Sequence, residues 1–142
     1  MSHVRTQIRD AAYAALVAQF GETATVYASR YLPLEEADLP AIIVYTSDEE
    51  VGAATMEAYG RSLELVVESK AKGADIDATL DALLVQVEVA LNANRLGGLC
   101  KPLALGSITA IIDTSASTPL GRHRIVYRAV YFTAHGNPEA AA

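Results

Sequence analysis

The chain has a single cysteine, Cys100, no tryptophan, and aromatic residues at only 6% of its 142 positions. A lone thiol cannot close an intrachain disulfide, and without a second cysteine there is no pair to anchor a structural zinc. Folding must therefore rest on ordinary apolar burial. A chain of this length can supply that, because a single domain of its size buries roughly 70% of its unfolded surface. Long apolar runs are missing as well. None approaches the ~20 residues that a membrane-spanning helix needs, and Met1-Ser2-His3-Val4-Arg5 lacks the apolar centre of a secretory signal. These absences lead to the expectation of a cytoplasmic protein in one domain, residues 1–135, with no membrane partner.

Positive charge is in short supply. The net charge is −6, which opposes attraction to polyphosphates and anionic lipid and argues against a dedicated nucleic-acid-binding domain. The deficit is uneven along the chain. Between Arg30 and Arg61 there is no Lys or Arg, while Glu35, Glu36, Asp38, Asp48, Glu49, Glu50 and Glu57 accumulate. From Val89 to Pro138 the balance reverses, with Arg95, Lys101, Arg122, Arg124 and Arg128 against Asp113 alone.

Groups that do chemistry are sparse and scattered. His3, His123 and His135 have no His, Cys or carboxylate at metal-ligand spacing, so they read as solvated or locally bonded side chains. Cys100 lacks a paired His and reads as a small, partly buried residue. Gly97-Gly98 and Gly106 are followed by no Gly-Lys-Ser/Thr, which makes them a helix stop and a bend rather than a phosphate loop. Glu64 and Glu68 read as two acids on a solvated strand face, and Ser115 and Ser117 lie in a loop with no nucleophile elbow. No nucleophile has a base, and the chain reads as neither an enzyme nor a cofactor binder.

What is present is regular patterning. Val4 to about Gln19 is Ala-rich, with Val4, Ile8, Ala11, Ala15 and Leu16 on a helical stripe and Gly21 as its stop. Ala24 to Ala28 reads as a short extended piece. Arg30 to Leu39 reads as a loop between Pro33 and Pro40. Ala41 to Thr46 is β-branched and aromatic on both faces, a central strand. Ser47 to Gly60 shows no sustained period and reads as a long flexible loop. Arg61 to Ser69 alternates as a half-exposed strand, and Lys70 to Gly73 reads as a turn. Ile76, Leu80, Leu83, Leu84, Val87 and Leu91 then form an unbroken stripe over four helical turns, behind Asp75 as a candidate cap. Leu103 to Asp113, bent at Gly106, and His123 to Thr133 form a closing hairpin. Residues 136–142 have nothing to bury and are expected to be a disordered tail. The element order is α-β-β-β-α-β-β, an α+β design with two helices packed on a mixed or antiparallel sheet.

An acidic segment and a basic strand in one small domain allow one copy's acidic side to meet the next copy's basic side. Such a contact between unlike patches is heterologous, and repetition closes it as a ring or continues it as a filament. The candidate interface residues are Asp48, Glu49 and Glu50 on the acidic side and Arg122, Arg124 and Arg128 on the basic side. A small-ligand module, with Tyr27, Tyr45, Tyr127 and Tyr131 around a pocket, is the competing reading.

Leu34 to Tyr45, an acidic stretch ending in Ala-Asp, then an apolar residue, Pro, Ala and an apolar strand closed by Tyr, carries a resemblance. So do the Ala-rich first helix, Arg30, Leu63-Glu64-Leu65, the helix opening Asp75-Ile76-Asp77-Ala78, and the final strand Val126 to Thr133, all in order. Together they resemble the tail terminator family of long-tailed bacteriophages, the minor tail protein U type of the lambda-like phages. The resemblance implies a homohexameric ring on the last ring of the tail tube that halts polymerisation and presents a docking surface for a head-completion protein. DNA would pass through the lumen without sequence-specific contact. The protein would be made in the host cytoplasm and reside in the virion tail. Another neck or tail-completion protein is the alternative within the same system.

Overall fold

Helix α1, Val4–Phe20, follows from an apolar residue at every fourth position: Val4, Ile8, Ala12, Leu16 and Phe20 share one side and are buried. Ala11 and Ala15, expected on that stripe, flank it half-buried. The His3 ring caps the helix by accepting the Arg5 N–H at 3.1 Å. Gly21 ends it at φ 55°, a backbone shape that a Cβ disfavours. The computed structural model describes residues 2–28, 39–100, 103–115 and 117–141. The expected loop from Arg30 to Leu39 therefore lies outside the described residues except at its end.

Among the described residues, five strands form one mixed sheet in the order β1-β2-β3-β5-β4. They are β1 Thr25–Tyr27, β2 Ala41–Ala53, β3 Ala58–Lys72, β4 Leu103–Asp113 and β5 Leu120–Ala134, with α2 spanning Ile76–Asn94 between β3 and β4. Strand β1 runs parallel to the start of β2, and every other pairing is antiparallel. The element order matches the expected α-β-β-β-α-β-β.

Four expectations need correction. Ser47 to Gly60 is not a flexible loop but the outer half of the β2–β3 hairpin, with Val51 opposite Arg61 and Ala53 opposite Tyr59. Its residues have weak strand preference, so the ladder holds them extended, across a bulge between Thr46 and Glu49. Arg61 to Ser69 is the middle of the sheet rather than a half-exposed strand, and Lys70 to Lys72 continue it instead of turning. Strand β2, expected at the centre, is second from the edge. The described part of residues 136–142, the stretch read as a tail, makes two contacts with α1. The Pro138 carbonyl accepts the Val4 N–H at 2.9 Å, and the Glu139 carbonyl accepts from the Gln7 amide at 2.7 Å.

Both helices lie on one face of the sheet. Leu63, Leu65 and Val67 of β3 and Ile125, Tyr127, Ala129 and Tyr131 of β5 point into the core with Ile42 and Val44 of β2. They meet Leu80, Leu83, Val87 and Leu91 of α2, each such side chain contributing roughly 1.5–3 kcal/mol on burial. Gly121 sets the closeness of this packing. A Cβ there would lie 2.5 Å from Ile76 and 2.8 Å from Leu80. Helix α1 packs on β1 and β2, and α2 on β3 and β5. The edge strand β4 extends past this helix layer, and Leu105, Ile108, Ile111 and Ile112 on it are exposed. Gly106 sits at a register shift in β4, as its expected role as a bend requires.

Candidate functional site

The two charged stretches fold into two separate intramolecular assemblies. The first lies at the outer end of the sheet, on the helix side. Strand β2 brings Glu49 opposite Leu63, and β3 places Arg61 opposite Tyr131. Glu49 Oε2 accepts from the Arg61 guanidinium at 3.1 Å, and its Oε1 accepts from the Tyr131 hydroxyl at 2.5 Å. Arg61 also donates through Nε to Thr133 Oγ1 at 2.8 Å. The acid and base side chains are 7% and 14% exposed, so removing either strands a charge away from water. Burial, reinforced by the bond to Glu49, pushes the Tyr131 phenol well above its ordinary range.

The second assembly covers the sheet face opposite the helices. Glu64 is paired with Arg128 and Glu68 with Arg124 across β3 and β5, the cross-strand arrangement that favours opposite charges. Arg128 reaches Glu64 at 3.8 Å and Arg122 leans diagonally to Glu68 at 3.5 Å. Glu64 also accepts from the Ser47 hydroxyl at 2.9 Å. Glu68 is buried and accepts from the Tyr45 hydroxyl at 2.6 Å. The Tyr45 phenol is raised, chiefly by burial and then by Glu68, while the neighbouring Arg124 pulls it the other way.

The six candidate interface residues are therefore divided. Glu49 is committed to Arg61 and Tyr131 inside its own chain, and Arg122, Arg124 and Arg128 face Glu68, Tyr45 and Glu64. Asp48 and Glu50 are exposed. The structure does not bring Glu49 near Arg124: they sit on opposite faces of the sheet. Glu64 and Glu68, read from the sequence as solvated acids, are the partners of those arginines. The signal for them was their alternation with Val66 opposite an equally alternating basic strand, once the two strands are paired. Arg61 was missed because its acid lies across a hairpin that reads as a loop.

Other expected features fall as follows. His123, read as solvated or locally bonded, is buried, with Nδ1 unbonded among the described residues and Nε2 4.0 Å from Asp81. His135 stacks on Tyr59, ring centroids 4.1 Å apart. Cys100 is buried, which pushes its thiol up. Ser115 bonds locally to Asp113. The four tyrosines do not surround one pocket, since Tyr45 lies on the face opposite Tyr127 and Tyr131. Among the described residues, no group of three or more His, Cys, Asp and Glu is arranged to hold a metal, and no helix is long and apolar enough to cross a membrane.

On the helix side, α2 and β4 leave a cleft of about 340 Å³ lined by Glu88, Val89, Asn92, Leu103, Leu105 and Tyr127. The Tyr127 hydroxyl is buried there with no hydrogen-bond partner among the described residues. A buried polar atom there meets an open apolar edge.

No protein of curated function matches the sequence. Among solved structures, a chain of the virion of a native gene transfer agent particle is similar at a TM-score of 0.44 and 21% identity, covering 90% of each chain. The family model described as phage minor tail protein U matches residues 3–108, from α1 into β4. With that match spanning well over half of its length, the chain belongs to the phage minor tail protein U family and is a structural protein of the phage tail.

Proposed function

We propose that the protein is a tail terminator. Copies close into a ring, of six by resemblance to the family, on the head-proximal end of the tail tube, stop further addition of tube subunits, and leave a surface on which a head-completion protein docks. The role is non-catalytic, needs no cofactor, and is performed after assembly in the host cytoplasm. DNA passes through the ring without sequence-specific contact, which suits a net charge of −6.

The observation that carries this reading is the family match from residue 3 to 108. The exposed apolar strand β4 agrees with it, because a long edge strand bare of Lys, Arg and Pro invites a partner. On the far face Arg122 and Arg128 pair with Glu68 and Glu64 of their own chain while staying part-exposed, so the reading does not rest on them.

The test is tube growth. Adding purified protein to polymerising tail tubes should halt elongation and place the protein at one end in micrographs. Unlimited growth with bare ends would overturn the terminator assignment, and protein bound at another position in the neck would favour a completion role.

A further inference from the structure

The helix layer is one helix short of the sheet. Helix α1 sits over β1 and β2 and α2 over β3 and β5, which leaves the inner face of β4 open among the described residues. Register places Leu105 opposite Tyr127, Ile108 opposite Ile125 and Ile112 opposite Gly121, so these three side chains point to the helix side. They are 43%, 41% and 37% exposed, although their β5 partners are core residues. The wall of this vacancy is the flank of α2. Asp81 and Glu88 lie along it, and α2 contains three acids and no Lys or Arg. The floor is apolar, the wall acidic, and the buried Tyr127 hydroxyl between them has no partner among the described residues.

We propose that this vacancy is the seat of α1 from a second copy of the chain. Helix α1 carries a second stripe beside its buried one: Arg9, Tyr13 and Val17, one turn apart. Tyr13 is 37% and Val17 42% exposed. Among the described residues, the ion-pair approach of Arg9 is the long one to Asp10, at 4.0 Å. The stripe offers apolar groups to the floor and a guanidinium to the acidic wall. The helix as a whole holds two arginines and one acid. Self-pairing of two α2 flanks would instead set like charges together. Because α1 caps one edge of the sheet and the vacancy lies at the other, the contact is heterologous and can repeat into a ring.

This inference rests on the reading that copies assemble with one another, and the test separates the two. Two variants, Val17→Cys and Val89→Cys, are mixed at high concentration, in solution and on tube ends, and treated with a short bismaleimide. Both positions are exposed, and the native Cys100 is buried. The expected result is cross-linked dimer in the mixture and none from either variant alone. In the mixture, Arg9→Glu on the α1 partner should abolish the product, and Glu88→Lys on the α2 partner should restore it. Dimer from Val89→Cys alone would overturn the proposal in favour of a symmetric contact. Linkage of Val89→Cys to Met56→Cys, in place of Val17→Cys, would overturn it in favour of the hairpin tip. No product in either setting also overturns it. Tubes that are capped without the cross-link leave the terminator reading standing while this contact fails, and the cross-link with uncapped tubes does the reverse.

Discussion

Tyr127 shows how one side chain links packing to pH. Burial, with the nearby Glu88 charge adding to it, pushes its phenol from 10.0 up to about 12. The folded state therefore keeps a proton that the unfolded chain releases above pH 10. Between those two values the unfolded state binds fewer protons, so stability falls as pH rises, by on the order of 2 kcal/mol. Tyr131 and Tyr45 shift in the same direction and steepen the loss. Tyr127→Phe separates its share. In urea unfolding, the variant should match or exceed the parent at pH 8, because it removes a hydroxyl with no bond among the described residues. It should also lose less between pH 8 and pH 11. An equally steep loss would place the titration elsewhere.

At the scale of elements, legibility followed from periodicity. Helix α2 was readable from Ile76 to Leu91 because six apolar residues at helical spacing admit no other period, and β5 because its alternation is unbroken from Arg124 to Tyr131. The outer half of the β2–β3 hairpin was not. Asp48, Glu49, Glu50 and Gly52 carry no strand signal, and their conformation comes from pairing with β3 and from the buried Arg61. The candidate site suffered for the same reason: charges were countable along the chain, but whether they met each other or another copy depended on register. Gly121 is a further tertiary constraint that composition hides. Its φ is ordinary, yet α2 starts so near that a methyl group would overlap Ile76 and Leu80. Gly121→Ala should force the helix outward and cost about 1–3 kcal/mol. Thermal unfolding would show it as a lowered midpoint, and an unchanged midpoint would mean that the α2–β5 contact adjusts freely.

Across the whole molecule, the sheet is held by two kinds of chemistry at its two ends. The inner end lies beneath both helices and is fastened by apolar contact. The outer end, where β2, β3 and β5 run past that cover, is fastened by Glu49, Arg61, Tyr131 and Thr133. Val51 and Met56 there are 51% and 95% exposed, so apolar burial contributes little to holding it. Glu49→Ala leaves the Arg61 guanidinium buried and unpaired, a change that costs about 3–5 kcal/mol for such pairs. Glu49→Gln keeps acceptors for Arg61 and Tyr131 and should cost less. Because the pair lies at the outer margin of the core, part of this loss should appear as local opening. Amide exchange in Glu49→Ala should accelerate most at residues 50–53 and 58–62, with 42–44 and 65–67 changing only as far as global stability falls. Uniform acceleration along β3 would mean that the outer end unfolds only with the core, and that the charged network belongs to a single cooperative unit.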